Sequence, residues 1–284
     1  MMRLLALATL CLALPAFASR TVTDELGRAV TVPDHPHRLV CLMPNLVDDA
    51  YALGAGPDVI AVPDYTKYPA EAKTKPSIGL PLNPSIETIV SLHPDLVLAS
   101  GDLNPMATVN QLEELGITVF TVNPHGIEGI YKSIASLGQA LNREQAADKL
   151  VGVLRDREAA VRLRVHGKPS VKVLMLVWYD PIITVGKDAY ITQLIEIAGG
   201  HSVTGDISQE WPQVSLEVVL ARAPDALLLV RGSKMSLDAI RSRPGWTSLP
   251  AVRDKRVYYV DDRIEYPSPV AFDALEDLAK QFYP

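Results

Sequence analysis

The sequence predicts an α/β fold made of two lobes that a single long helix connects. Three observations carry this prediction. Buried strands alternate with helical segments, one helix-to-strand segment recurs in both halves, and an uninterrupted helical stretch lies between the halves. The chain has 284 residues, of which 48% are hydrophobic, so it is long and apolar enough to form one or two domains with packed cores.

Short apolar runs rich in β-branched residues alternate with segments whose apolar residues recur at helical spacing, such as 111–115 and 216–221. Continuous apolar strands between helices indicate sheets that are covered on both faces, and therefore largely parallel strands. The runs fall into two groups, which predicts two sheets. The predicted strands cover residues 39–42, 59–62, 96–99, 119–122, 173–177, 226–230 and 257–260.

An internal repeat supports the division into two lobes. Residues 85–98 align without a gap with residues 215–228, and the apolar positions of the two segments coincide. Each copy predicts a short helix capped by its serine, a Pro-Asp break and then a buried strand. Because the identities keep a constant offset, the two halves are predicted to be related. The identical pairs are Ser85 and Ser215, Glu87 and Glu217, Pro94 and Pro224, and Asp95 and Asp225.

A stretch without proline, residues 142–165, predicts the helix between the lobes. Asn142 is expected to be its N-cap, with Gln145 as the capping-box partner. Such a helix would extend roughly 35 Å at about 1.5 Å per residue, long enough to run along both lobes. The expected organisation is a first lobe at 19–141, a connecting helix at 142–166 and a second lobe at 167–284. A single crossing helix also predicts modest lobe motion.

The first eighteen residues have the pattern of a secretory signal. Arg3 precedes a leucine-rich stretch, and Ala16-Phe17-Ala18 provides a cleavage site before Ser19. The alternative is a membrane anchor, but the apolar run is shorter than the roughly 20 residues that a span needs, and Pro15 follows it. We therefore expect export and cleavage after about Ala18. The mature chain would keep one cysteine, Cys41, which lies in an apolar run and is expected to be buried.

Composition and motifs argue against several function classes. The chain has 33 acidic and 27 basic side chains and no basic block, so nucleic acid is not an expected partner. It contains no G-x-S-x-G motif, no P-loop and no H-E-x-x-H motif, and its six histidines are scattered. No catalytic residue and no metal site are predicted, and the chain is not expected to be an enzyme. An exported enzyme that uses the same cleft remains the alternative from another class.

Aromatic residues near predicted strand ends are the candidate ligand contacts. Loops that follow parallel strands open onto the crevice of an α/β lobe, so these side chains are expected to converge if the lobes face each other. A wide, mostly apolar, planar ligand would suit them. Trp246, in a Pro-Gly-Trp turn, is instead expected to be structural. The candidates are Tyr65, Tyr68, Trp178, Tyr179, Trp211 and Tyr266.

Four further motifs are residues 20–28 (RTVTDELGR), 49–54 (DAYALG), 94–97 (PDLV) and 224–227 (PDAL). Together with the two-lobed layout, they resemble the periplasmic substrate-binding proteins of cobalamin, haem and ferric-siderophore ABC importers. Residues 211–222 and the spacing of Tyr65, Tyr68 and Pro69 are most similar to the cobalamin-binding members. The resemblance implies two Rossmann-like lobes joined by a single long backbone helix, and a monomer that works in the periplasm.

The same resemblance implies roles for particular residues. Tyr65, Trp211 and Asp262 match positions that contact the corrinoid, which is transported rather than used as a cofactor. Glu87 and Glu217 match the glutamates that dock on arginines of the permease dimer, which works with its ATPase subunits. The chain departs from a cobalamin binder at Pro81, where that protein has tryptophan six residues before the first docking glutamate. Haem or a ferric siderophore is therefore the alternative ligand.

Overall fold

The computed structural model describes residues 18–233 and 235–284. The predicted signal segment, apart from Ala18, lies outside these residues. Within the described ranges, no helix has both the length and the apolar character needed to cross a membrane.

The described part of the first half, residues 18–141, forms eight strands and four α-helices. The strands are β1 (Ser19–Thr23), β2 (Ala29–Pro33), β3 (Leu39–Cys41), β4 (Val59–Ala61), β5 (Gly79–Leu80), β6 (Asn83–Pro84), β7 (Leu96–Ser100) and β8 (Val119–Val122). The helices are α1 (Pro44–Ala52), α2 (Ile86–Ser91), α3 (Met106–Glu114) and α4 (Gly126–Leu141). Strands β4, β3, β7 and β8 form a parallel sheet in that order, and we call this sheet with the elements packed on it the first lobe.

The second half begins with the long helix α5 (Glu144–Val165). Its strands are β9 (Val171–Leu176), β10 (Trp178–Tyr179), β11 (Ile182–Ile183), β12 (Gly200–Ser202), β13 (Gln213–Val214), β14 (Ala226–Val230) and β15 (Val257–Val260). Its other helices are α6 (Tyr190–Ile197), α7 (Leu216–Arg222), α8 (Leu237–Arg241), α9 (Pro250–Arg253) and α10 (Ala271–Phe282). Strands β12, β9, β14 and β15 form a second parallel sheet, the centre of the second lobe.

The two parallel sheets confirm the predicted fold class, and each predicted strand matches an observed one to within two residues. Strands β7 and β14, one central strand of each sheet, are buried throughout, as their continuous apolar runs require. The predicted serine caps are also present. Ser85 accepts a hydrogen bond from the amide of Thr88, and Ser215 accepts one from the amide of Val218. Cys41 is buried, as expected.

The start of the long helix was predicted wrongly. Asn142 is not the N-cap of α5 but the C-cap of α4, where it adopts the left-handed conformation with φ of 55°. Arg143 occupies the N-cap position of α5 without a side-chain hydrogen bond, so the predicted capping box with Gln145 does not form. Asparagine tolerates the left-handed region, and a second helix ends directly before the long one. The connection is therefore a helical hairpin of α4 and α5.

The largest hydrophobic cluster spans both lobes. It contains buried residues of both parallel sheets, and α4, α5, α6 and α10 contribute to it. Trp246, predicted to be structural, is buried in a separate cluster inside the second lobe. The two lobes thus share a continuous apolar core.

Candidate functional site

A cavity of about 510 Å³ lies in the cleft between the lobes. Its lining comes mainly from segments that follow β3, β4, β7 and β15, and from the turn between β5 and β6. This is where ligands bind in open α/β sheets, because the loops after parallel strands surround the crevice. Most of the lining is apolar. The lining residues are Met43, Pro44, Asn45, Tyr65, Leu80, Pro81, Leu82, Leu103, Glu265, Tyr266 and Pro267.

Tyr65 is the most exposed large hydrophobic residue at this cavity, with 72% of its surface accessible. Its backbone is in the left-handed region, with φ of 65°, which is unusual for a residue with a bulky side chain. The segment after β4 therefore holds Tyr65 in an uncommon conformation that leaves its ring available at the cavity. Strain of this kind is often found at binding sites.

Three side chains connect the lobes beside the cavity. The hydroxyl of Tyr68 donates a hydrogen bond to Oδ1 of Asp262 at 2.7 Å, and the ammonium group of Lys67 pairs with Oδ2 of the same carboxylate. Lys67 and Tyr68 follow β4 of the first lobe, whereas Asp262 follows β15 of the second. We call this group the Lys67–Tyr68–Asp262 clasp. The ring of Tyr266 packs edge-on against that of Tyr68, with 5.7 Å between the centroids.

Carboxylates are the main charged groups on the side of the cavity that the second lobe forms. Glu265 lines the cavity, and its pKa is raised by burial and by the nearby charge of Asp262. The adjacent cation, Arg263, is engaged by Asp261 and Asp273, and its hydrogen bonds lower the pKa of Asp261 to about 2. The site therefore offers hydrogen-bond acceptors, while Lys67 and Arg263 are already paired with carboxylates.

A further carboxylate of the second lobe, Glu210, is influenced by charges of the first lobe. Burial raises the pKa of Glu210, and the charge of Asp102 in the first lobe raises it further. His125, also from the first lobe, acts in the opposite direction. Charges of the first lobe therefore act on the segment that carries Glu210 and Trp211.

The structure brings only some of the predicted site residues together. Tyr65 and Tyr266 line the cavity, and Tyr68 and Asp262 lie directly beside it. Their contacts with a ligand stay predictions.

Three predicted aromatic residues do not line this cavity, and their contact with a ligand stays a prediction. Trp178 and Tyr179 stack on each other with 5.3 Å between ring centroids, and the guanidinium of Arg243 lies over Tyr179. The reason is local: both belong to β10, which pairs with β11 in a small antiparallel sheet of the second lobe. Trp211 is 44% exposed and lies next to Glu210, outside the lining.

Sequence reasoning missed the aliphatic part of the cavity. Leu80 ends β5, Leu82 lies in the turn that follows it, and Leu103 follows β7. The side-chain amide of Asn104 donates to the carbonyl of Pro81 at 3.0 Å and so ties this turn to the loop after β7. Leucines at strand ends carry no distinctive signal in a single sequence, since most leucines are core residues. Lys67 carries no distinctive signal either, because its partner Asp262 is far away in the chain.

The two candidate docking glutamates are exposed in the first turns of α2 and α7. Each follows its capping serine by two residues, so the internal repeat places them equivalently in the two lobes. A hydrogen bond from Ser215 lowers the pKa of Glu217, which keeps that side chain ionised. Their contact with a permease stays a prediction.

Metal binding by the protein itself has no support in the described part of the chain. Over residues 18–233 and 235–284, no group of three or more His, Cys, Asp or Glu side chains is arranged to hold a metal ion.

Comparison with known families decides the class of protein. The family model described as periplasmic binding protein matches residues 39–264, which include every strand of both parallel sheets. The chain belongs to the periplasmic binding protein family. Members of this family are substrate-binding proteins of ABC transporters and not enzymes, so the exported-enzyme alternative loses its support.

Individual relatives of this binding protein differ in their ligands. It is 33% identical over 272 residues to an uncharacterized ABC transporter substrate-binding lipoprotein of Bacillus subtilis, covering 93% of this chain and 85% of that protein. It is 28% identical over 276 residues to a vitamin B12-binding protein of Vibrio parahaemolyticus, covering 96% of each. A periplasmic haem-binding protein from Roseiflexus superposes with a TM-score of 0.79 at 28% identity, covering 87% of this chain and 98% of that one.

Proposed function

We propose that this binding protein captures a corrinoid such as cobalamin in the cleft between its lobes and delivers it to an ABC importer. It would do so in the periplasm, as a monomer and without changing the ligand chemically. The observation that carries the proposal is the apolar, aromatic cavity bordered by carboxylates whose neighbouring cations are already paired.

The charge distribution is the reason for preferring a corrinoid. Corrin side chains end in amides, which donate hydrogen bonds to carboxylates such as Asp262 and Glu265. Haem carries two propionates, which the same carboxylates would repel. The apolar faces of Tyr65 and Tyr266 suit either ring system. The similarity to a vitamin B12-binding protein over nearly the whole chain also supports the corrinoid.

Haem is the second candidate, because one observation favours it. Tyr65 presents a phenol at the cavity with most of its surface accessible. Tyrosine oxygen is a known protein ligand of haem iron. A corrinoid would pack on the face of the Tyr65 ring, whereas haem iron would be coordinated by its phenol oxygen.

The test compares cyanocobalamin, ferric haem and a ferric hydroxamate siderophore on the chain beginning at Ser19. Tryptophan fluorescence titration gives the stoichiometry, and the visible spectrum after desalting identifies the ligand retained. We expect saturation with one equivalent of cyanocobalamin. Retention of haem or siderophore with no response to cyanocobalamin would overturn the corrinoid assignment.

A variant pair separates the two candidates further. Tyr65→Phe keeps the aromatic face and removes the oxygen, and Tyr259→Phe is the matched control on β15 outside the cavity lining. A corrinoid should bind Tyr65→Phe nearly as well as the wild type. If haem is the ligand, Tyr65→Phe alone should change the iron absorption bands and weaken binding.

A further inference from the structure

The Lys67–Tyr68–Asp262 clasp occupies a carboxylate that a ligand would also bind. Both carboxylate oxygens of Asp262 are engaged within the protein, Oδ1 by Tyr68 and Oδ2 by Lys67. The side chain of Asp262 is only 16% exposed, whereas that of Lys67 is 51% exposed. Asp262 is thus oriented and partly desolvated by its neighbours, and a ligand donor that approaches it has to compete with them.

The clasp also joins the lobes. Its two donors stand after β4 of the first lobe and its acceptor after β15 of the second. Tyr266 reinforces it by packing on Tyr68, and the guanidinium of Arg263 lies 5.8 Å from the centre of the same ring. Both Tyr65 and Tyr266, which line the cavity, are within four residues of a clasp member.

We propose that the clasp is a ligand-displaced latch: Lys67 holds Asp262 in the ligand-free protein, and a neutral ligand binds by taking over that carboxylate. The displacement of Lys67 by ligand amides rests on the proposed function, whereas the bridging of the lobes does not. Lys67 is then a residue that sets specificity. It returns to solvent when a neutral ligand binds, and it would instead remain in the site as the counterion of an acidic ligand.

Two consequences distinguish a latch from an ordinary ligand contact. Removing Lys67 should strengthen the binding of a neutral ligand, because a competitor for Asp262 disappears. Raising the ionic strength should do the same in the wild type, because salt weakens a partly exposed ion pair. A lysine that contacts the ligand would give the opposite result on removal.

The first experiment measures cyanocobalamin binding to Lys67→Met over a series of salt concentrations. We expect the Kd to fall about two- to fivefold, the range expected for release of a surface ion pair, and its salt dependence to disappear. Lys73→Met is the matched control, since Lys73 is exposed in the same segment between β4 and β5, and it should behave as wild type. Weaker binding by Lys67→Met, or an unchanged Kd and salt dependence, would overturn the latch.

The second experiment needs no ligand. Spin labels on cysteines introduced at exposed Asn110 in α3 and Asp238 in α8 report the distance between the lobes, and Cys41 is buried and should remain unlabelled. In the ligand-free Lys67→Met/Tyr68→Phe variant, we expect a broader and longer distance distribution than in the wild type. Identical distributions would overturn the bridging role.

The outcomes of the two experiments distinguish failure of the latch from failure of the proposed function. If the wild type does not bind cyanocobalamin but the distance distribution responds to the double substitution, the corrinoid proposal fails, and with it displacement by a corrinoid, while the bridging role stands. If cyanocobalamin binds and neither readout responds to the substitutions, the latch fails and the proposed function stands.

Discussion

The backbone amide of Ile127 donates a hydrogen bond to Oε1 of Gln193 at 2.9 Å, so a side chain of α6 in the second lobe caps the N-terminus of α4 in the first. First-turn amides have no partner inside their own helix, which makes this contact a structural link between the lobes. Gly126 makes the approach possible. A Cβ at that position would lie 2.7 Å from Nε2 of Gln193, and its φ of +67° also favours glycine.

This link and the shared core predict small lobe movements on ligand binding. Scattering curves of the ligand-free and ligand-bound protein should give nearly the same radius of gyration. Gln193→Ala should leave the fold intact but widen the distribution of distances between the lobes, because only the capping contact is removed. Glu196→Ala, an exposed position on the same helix, is the control. Large compaction of the wild type on ligand addition would contradict the prediction.

A second prediction concerns the hairpin of α4 and α5. At Gly138 an added Cβ would lie 2.5 Å from Cβ of Ala147, closer than real side chains approach. Gly138→Ala should therefore lower the free energy of unfolding by about 1–3 kcal/mol, as overpacking in cores does. Thermal unfolding of the double variant Gly138→Ala/Ala147→Gly provides the check. It moves the methyl group to the other helix, so its melting temperature should recover toward wild type if the contact is the cause.

A third prediction concerns a buried carboxylate, Asp49 of α1. It is 2% exposed, its Oδ1 has no hydrogen-bond partner in the described part of the chain, and burial raises its pKa well above the ordinary value of 3.8. Burial likewise raises the pKa values of Asp48 and Glu25, whose charges act on Asp49. A raised folded-state pKa means that the folded protein binds the proton more tightly. The contribution of Asp49 to the free energy of unfolding is thus greatest at low pH and falls as pH rises from about 4 through its folded-state pKa.

Asp49→Asn should remove this group's part of the decline. We expect the variant to be more stable than wild type at pH 7–8 by about 1–3 kcal/mol, the usual cost of a buried unsatisfied group, and no more stable near pH 4. Urea unfolding across that pH range measures the difference. Asp156→Asn, at an exposed position of α5, should follow the wild-type curve. A constant difference between Asp49→Asn and wild type at every pH would show that the effect is packing rather than ionisation.

The sequence predicts features that depend on residues close together in the chain and misses features that depend on distant residues. Strands such as β14 and the serine cap at Ser215 depend on neighbours in sequence, and both were predicted correctly. Asn142 was misplaced because the same residue type ends one helix and begins another, and local sequence does not distinguish these when helices are adjacent. The clasp joins residues 195 positions apart, Lys67 and Asp262, so no local pattern indicates it.

The candidate site shows the same limit. The aromatic residues Tyr65 and Tyr266 could be selected because strand-end loops face the crevice, but Trp178 and Tyr179 satisfy the same rule. Their strand turns back into a small antiparallel sheet, and the rule does not specify which way a loop folds after its strand. Family resemblance, not pattern, singled out Asp262.

The last prediction concerns Glu87 and Glu217. Each is exposed in the first turn of a serine-capped helix, where a carboxylate complements the helix dipole without any partner. This local role explains each glutamate separately, but it does not explain why the same residue stands at the same place in both lobes. Two equivalent carboxylates could engage two equivalent arginines on a dimeric permease, where charge-assisted pairs fix orientation.

We therefore expect Glu87→Ala/Glu217→Ala to bind the ligand as wild type does, with a small change in melting temperature, and to lose stimulation of ATPase activity in the reconstituted transporter. Glu71→Ala/Glu114→Ala removes the same charge from two other exposed positions and should retain stimulation. This control matters because a general loss of negative charge would slow association with a basic surface whichever glutamates were removed. If the two double variants stimulated the ATPase activity equally, Glu87 and Glu217 would have only their local role at the helix termini. Loss confined to the first variant, with ligand affinity unchanged, would locate the docking contacts on α2 and α7.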